Sequence, residues 1–191
     1  MNLTTERTIL RAGVEDDAPA IADFFERNRA HFERWDPKRP PAFFEPPFWR
    51  ARIAEDARRA EADRGYRLWI ADRHDGGAGA RVIGFVHFSN VVRGAFQACH
   101  LGFGIDRARE GTGRMREALE AALGWAFEEL NLHRVEANHR PENVRSAALL
   151  ERLGFVPQGY ARHYLHIHGA WRDHVLTALS NPDWRPPGAR S

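Results

Sequence analysis

The chain has a single cysteine and a single lysine among 191 residues. Cys99, having no second thiol, can form neither an internal disulfide nor a cysteine-based metal cage, which suits a reducing compartment. Lys38, standing alone outside any glycine-rich loop, rules out a Walker-type phosphate loop and argues against Schiff-base chemistry. The positive charge is therefore almost all arginine. Long apolar runs are missing too: none approaches the ~20 residues of a membrane-spanning helix. The stretch "MNLTTERTILRAG" contains no signal-peptide core, so a cytoplasmic protein without membrane contact is expected.

What is present is ordinary globular composition, 43% hydrophobic and 28% charged. The length fits one domain spanning 1–191 with a real core. A net charge of +2 and a pI near 9.1 tolerate an anionic cofactor or a ribonucleoprotein neighbour without demanding nucleic acid. No direct DNA binding is expected, and monomer and homodimer remain equally open.

Hydrophobic periodicity predicts alternating elements with no internal repeat. "ERTILRAG" (6–13) reads as a first strand. "DDAPAIADFFERNRAHFERW" reads as a helix capped by Asp16 or Asp17, with Pro19 in its first turn. "DPKRPPAFFEPP" is too rich in proline for a helix interior and predicts an ordered loop. "FWRARIAEDARRAEADRG" reads as a polar helix ending near Gly65. Residues 66–72 and 80–92 form a hairpin across a turn in "HDGGAG". A strand follows over 95–105, then a long helix to about Leu130, a strand over 133–139, and the helix "ENVRSAALLERLGF", which stops at Gly154. The tail is a second hairpin about "HGA". The class is mixed α/β or α+β.

Between the 95–105 strand and the long helix lies "AREGTGRMR" (108–116). A strand-to-helix turn presents free backbone N–H groups, the geometry that holds phosphate oxygens. Gly111 and Gly113 allow close backbone approach, and Arg109, Arg114 and Arg116 supply cations. A dinucleotide fingerprint would need glycine at Arg116, so that reading fails. A plain strand–helix turn is the competing account.

With "NVRSAALLERLGF" downstream, the chain resembles the GCN5-related N-acetyltransferases (GNAT), and within them the RimJ/RimL branch that acetylates the N-termini of ribosomal proteins. The family's loop, Gln/Arg-x-x-Gly-x-Gly/Ala, stands here as "AREGTG"; Gly111 and Gly113 match, and Ala108 is the main departure. Its helix motif, Asn-x-x-Ser/Ala…Leu-x-x-Leu-Gly-Phe, is met by Asn143, Ser146, Gly154 and Phe155. The tail "GYARHYLHIHGAWRDHVLTALSNPDW" is most similar to the RimJ members, which implies an N-terminal alanine on a ribosomal protein as acceptor.

The resemblance implies a mixed, mostly antiparallel sheet with flanking helices, its fourth and fifth strands (96–105 and 133–139) splayed apart around acetyl-CoA as cosubstrate, with no metal. It implies that backbone groups around Phe103 and Ile105 pair with the pantetheine arm. Arg109, Gly111, Thr112, Gly113, Arg114 and Asn143 would hold the remainder. Two other readings stay open: acetylation of a small amine such as an antibiotic or polyamine, and a non-catalytic CoA-binding module for ribosome assembly, with or without lasting ribosome association.

Direct attack of an amine on the thioester needs only a modest base when the acceptor is an α-amino group, whose pKa is near ~8. His100 stands where many family members carry a glutamate, and a histidine can take a proton near neutrality; it can equally serve only to pack in the sheet. Glu136 is the second candidate base, or a structural partner for an arginine. For protonating the thiolate, Leu150 occupies the position of the family's usual tyrosine, leaving Ser146 or a water as the donor, or Ser146 as a mere packing residue. Gly102 and Gly104 leave space on one strand face, or mark close packing. "HYLHIH" places His166 and His168 on one strand face near His163; these either line the acceptor groove or face solvent, and a zinc site would need a third convergent ligand. Phe43, Phe44, Phe48 and Trp49 either wall that groove or cover the core.

Overall fold

Residues 2–75 and 81–186 are described by the computed structural model. Eight strands make one sheet: β1 (Asn2–Thr4), β2 (Thr8–Arg11), β3 (Gly65–Asp72), β4 (Val82–Val92), β5 (Ala98–Ile105), β6 (Arg134–Glu136), β7 (Val156–Ile167) and β8 (Ala170–Ser180). Their spatial order is β1-β2-β3-β4-β5-β6-β8-β7, and every neighbouring pair is antiparallel except β5–β6. The mixed, mostly antiparallel sheet that the family resemblance implies is thus present, with one strand more than the hydrophobic pattern predicts. β1 folds back on β2 through a turn in which the Thr5 and Thr8 hydroxyls lie 2.7 Å apart and the Thr5 amide donates to the Thr8 carbonyl at 2.9 Å. A three-residue strand is too short to show a period, and threonine side-chain bonding favours the turn. The turn expected in "HDGGAG" falls, beyond Asp75, outside the described residues.

One sheet face carries α1 (Ala18–Arg27), α2 (Arg29–Phe32) and α3 (Pro46–Glu61); the other carries α4 (Arg114–Glu128) and α5 (Val144–Arg152). The single helix expected from Asp16 to Trp35 is broken at Asn28. This buried side chain donates to the Phe24 carbonyl at 2.8 Å and accepts the Arg107 amide at 3.0 Å. Asparagine competes with helical backbone in this way, and here the competition also fastens the helix end to the segment after β5. Asp17 is the N-cap residue of α1 as expected, but its side chain makes no capping bond to the helix. It accepts the Val14 amide at 2.8 Å and both terminal nitrogens of Arg11 at 2.6 Å, tying the helix entry to β2. Helix α3 begins two residues earlier than the pattern predicts, because Pro46 and Pro47 fit a first turn whose amides would be unpaired anyway.

Two hydrophobic clusters result. Leu10, Leu68, Ile70, Val86, Phe88 and Leu101 pack against Leu119 and Leu123 of α4. On the opposite face an aromatic cluster joins Phe24, Phe25, Phe43, Trp49 and Trp69. Phe25 stacks on Trp49 with centroids 4.8 Å apart and planes 3° from parallel, and the Trp49 indole donates to the Phe43 carbonyl at 2.7 Å. Phe43 and Trp49 are core residues, therefore, while Phe44 and Phe48 are partly buried against them. Among the described residues no helix is long and apolar enough to cross a membrane. Removing the central ring by Phe25→Ala is expected to cost about 3–5 kcal/mol; urea unfolding followed by tryptophan fluorescence measures it, and a loss below about 1 kcal/mol would show that the cluster tolerates a cavity there.

Candidate active site

The parallel ladder between β5 and β6 has three pairs, Ala98–Arg134, Cys99–Val135 and His100–Glu136, and ends there. Beyond Glu136 the chain follows β8: the Ala137 amide donates to the Thr177 carbonyl at 3.0 Å, and His139 and Val175 exchange amide-to-carbonyl bonds at 3.1 and 2.8 Å. Leu101–Ile105 pair with β4 only. A cleft therefore opens between β5 and the segment after β6, with one edge of β5 free along Phe103 and Ile105. Two further elements border it: the glycine-rich loop follows β5, and α5 follows β6.

The glycine-rich loop is held from below. Asp106 caps the short turn Arg107–Arg109 by accepting the Ala108 amide at 3.0 Å, and it also accepts Arg27 Nε at 2.9 Å. The Thr112 hydroxyl donates to the Arg109 carbonyl at 2.7 Å. Gly111 and Gly113 have φ of 71° and 79°, the left-handed region that disfavours a side chain. Nothing lies within 4 Å of a Cβ placed on Gly111, whereas the Arg7 guanidinium lies 3.1 Å from one placed on Gly113. Arg7 donates to the Thr112 carbonyl at 2.8 Å and binds Glu117 on α4 through its amide at 2.7 Å and Nε at 2.6 Å. Gly113 offers no side chain to cap α4, so the amides of Arg114, Met115 and Arg116 have no acceptor among the described residues. An open glycine, free amides and a helix N-terminus are what a pyrophosphate needs.

Arg109 and Arg114 are placed differently from a simple pair of phosphate clamps. Both guanidinium groups are bound to the buried carboxylate of Asp72 at the end of β3, Arg109 Nη2 at 2.9 Å. Glu110, inside the loop, contacts Arg145 of α5 and lies 3.3 Å from His31 of α2. Burial, with Arg34, Arg107 and Arg145 nearby, pushes the His31 imidazole below its ordinary value.

The two candidate bases turn out to be neighbours. His100 Nε2 lies 3.3 Å from Glu136 Oε2, at the point where the ladder stops. The second Glu136 oxygen accepts Arg134 Nε at 2.8 Å, and the other His100 nitrogen, Nδ1, is 3.4 Å from Asn90 Nδ2. On the same sheet face, Gly102 has open space where a Cβ would stand, while the Gly104 position is closed by the Phe85 and Phe32 rings. His87, the cross-strand partner of Gly102, is pushed down to about 3 by its burial and by Arg67, Arg52 and Arg59, so it is neutral and a poor base. Burial pushes the Cys99 thiol up to about 12, which leaves it inert as a nucleophile.

Asn143 is the N-cap of α5, its Oδ1 accepting the Ser146 amide at 3.2 Å, and the Ser146 hydroxyl has no hydrogen bond among the described residues. Leu150 is buried in the core. His168 does not share a strand face with His166. It opens the two-residue turn His168–Gly169, where both residues have positive φ as a tight hairpin requires. His163 sits at a bulge of β7, its amide donating to Asp173 at 2.8 Å. Among the described residues no three His, Cys, Asp or Glu side chains are grouped to hold a metal ion. The His168 amide meets the Asp36 carbonyl at 3.2 Å, and a groove of about 240 Å³ lies there, lined by Phe32, Asp36, Lys38, Phe43, Phe44 and His168. Sequence reasoning passed over Asp72, Arg7, Glu117, Glu110 and Asn90, for which local pattern carries no signal.

The chain is similar in sequence and fold to known proteins. A family model described as an acetyltransferase (GNAT) domain matches residues 7–156. A ribosomal protein uS5-alanine N-acetyltransferase of Escherichia coli (strain K12) is 41% identical over 186 residues, covering 97% of this chain and 94% of the relative. The crystal structure of a ribosomal-protein-S5-alanine acetyltransferase from Vibrio fischeri superimposes with a TM-score of 0.92 at 38% identity, covering 97% of this chain and all of that one. RimJ of Mycobacterium smegmatis, solved in complex with CoA-disulfide, has a TM-score of 0.85 at 28% identity over 94% of this chain and 87% of its own.

The Arg7–Glu117 anchor has a pH signature. Burial works against ionisation of Glu117, but hydrogen bonds from Thr5 and Arg7 and the Arg7 charge outweigh it and hold the carboxyl down to about 2, against an ordinary value of 4.5. A depressed carboxyl stabilises the fold above its unfolded pKa and loses that contribution as the pH falls through the folded one. Glu117→Gln is therefore expected to melt below the wild type at pH 7, the gap closing between pH 4.5 and about 2. Melting curves across that range check it, and a gap that persists at the acid end would mean the carboxylate charge is not what anchors the loop.

Proposed function

The chain belongs to the GNAT family of acetyltransferases, and we propose that it transfers the acetyl group of acetyl-CoA to the N-terminal alanine of ribosomal protein uS5. Acetyl-CoA is the cosubstrate of this family, and the acceptor is the one named for the Escherichia coli relative, which aligns over 97% of the chain. The observation that carries the reading is the end of the β5–β6 ladder at His100–Glu136: the cleft opens where a histidine and a carboxylate meet.

The chemistry follows from that placement. The pyrophosphate rests on the free amides at the start of α4 and on the open face of Gly111, with Thr112 and Gly113 shaping the loop. Asp72 fixes Arg109 and Arg114 beside it, so their charge reaches the phosphates as a preset field. The pantetheine arm runs along the free edge of β5 at Phe103 and Ile105, and the α5 N-terminus at Asn143 closes the far side. The amine attacks the thioester carbon, a C–N bond forms, and the C–S bond breaks to release the thiolate.

His100 is the better proton acceptor of the pair. Glu136 already serves Arg134 and lies against His100 Nε2, which keeps the imidazole proton on Nε2 and the lone pair on Nδ1. Asn90, at 3.4 Å, is a weak enough partner to yield to an incoming amine. The leaving thiolate takes its proton from the Ser146 hydroxyl or a water held there. Direct transfer of this kind asks nothing of Cys99.

Thiol release from acetyl-CoA with a panel of acceptors tests the reading. The panel comprises the uS5 N-terminal peptide, peptides beginning with serine or methionine, an N-blocked lysine peptide, spermidine and an aminoglycoside. Selectivity for the alanyl terminus is expected. Turnover of small amines alone would move the function to small-molecule acetylation, and tight CoA binding without turnover would leave a binding module. His100→Ala is expected to lower kcat on the peptide by about 10²-fold with the KM for acetyl-CoA unchanged; a wild-type rate would transfer the base role to Glu136.

A further inference from the structure

One register step from His100, the same sheet face carries a second polar row: Arg67 on β3 is paired with His87 on β4, and His87 with Gly102 on β5. The row is anchored from α3. Asp56 accepts Arg67 Nε at 2.9 Å with one oxygen and Arg52 Nε at 3.1 Å with the other, and Arg67 and Asp56 are nearly buried. Arg67 Nη2 then lies 3.2 Å from His87 Nδ1. A guanidinium has only donors, so Nδ1 must be the unprotonated nitrogen and the imidazole proton sits on Nε2. His87 stays partly exposed, and Gly102 beside it leaves open space. That notch is bounded along β5 by His100 on one side and by Gly104, roofed by Phe85 and Phe32, on the other.

We propose that the Nε2–H of His87 donates a hydrogen bond to the carbonyl oxygen of the acceptor's first peptide bond, seated in the notch over Gly102, and so selects a peptide N-terminus over other amines. This rests on the peptide-acceptor reading above. An N-terminal residue carries a carbonyl oxygen three bonds from its amine, whereas an alkylamine or a lysine ε-amine does not. His87 and His100 are diagonal neighbours across β4 and β5, a relation that sets Cα atoms about 7–8 Å apart. One amino-acid residue, hydrogen-bonded at its amine to one histidine and at its carbonyl to the other, spans a gap of that size. His87 is a positioning and specificity residue here; the proton transfer remains with His100.

The full-length enzyme with acetyl-CoA tests this, using two acceptors: an alanyl peptide and isopropylamine, which has the same branched amine but no carbonyl. His87→Leu is expected to lower kcat/KM for the peptide by about tenfold, mostly through KM, while isopropylamine turnover and the KM for acetyl-CoA stay unchanged. His87→Asn should restore the peptide rate, since its oxygen can accept from Arg67 while its N–H donates. Should the leucine variant not fold, His87→Asp, which keeps a partner for Arg67 but has no N–H, must show the same selective loss. Equal losses on both acceptors, or none on the peptide, would overturn the proposal. A wild type that acetylates isopropylamine and ignores the peptide would instead overturn the assigned acceptor.

Discussion

After Glu136 the chain gives its hydrogen bonds to β8 and withdraws them from β5, and the rest of the site depends on that choice. Three residue pairs of parallel ladder hold the two halves of the sheet together, and three residues later they belong to different neighbours. Backbone groups within a sheet interior are normally paired, so a free edge along Phe103 and Ile105 is stable only where water or an extended ligand can complete it. The same divergence puts His100 and Glu136 at the apex of the opening and the glycine loop and the α5 N-terminus along its sides.

Arginine–carboxylate contacts hold that opening in shape. Asp72 takes Arg109 and Arg114, Glu117 takes Arg7, and Asp106 takes Arg27, each joining the glycine-loop region to a different part of the fold: β3, the β1–β2 turn and α1. These contacts tie the loop to three separate elements, and they leave the amides at the start of α4 without acceptors among the described residues. Preset donors of this sort cost little reorganisation on binding.

Much of this was legible beforehand and some was not, for identifiable reasons. The order of elements, the glycine turn and the Asn143 cap all rest on patterns a few residues long, which a sequence displays directly. The break at Asn28 was hidden because its cause, the Arg107 amide, is 79 positions away. Arg7 and Glu117 are 110 positions apart, and nothing around either marks the other. The sequence offers His100 and Glu136 as rival bases; only the parallel register shows them to be neighbours. Arg109 reads as a phosphate ligand from its loop, and its bond to Asp72 depends on a strand end that local pattern does not connect to the loop.

The scarcity of lysine now acquires a chemical meaning. A protein that keeps a reactive thioester in an open cleft exposes its own amines to it. Guanidinium groups stay protonated far above neutral pH and do not compete as nucleophiles. By meeting nearly every need for positive charge with arginine, the chain presents one ε-amine, that of Lys38 in the groove beside Asp36 and Phe43. Lys38 is thereby the one lysine side chain that offers an amine to a thioester, and the guanidinium groups that carry the remaining positive charge do not compete with an acceptor for it.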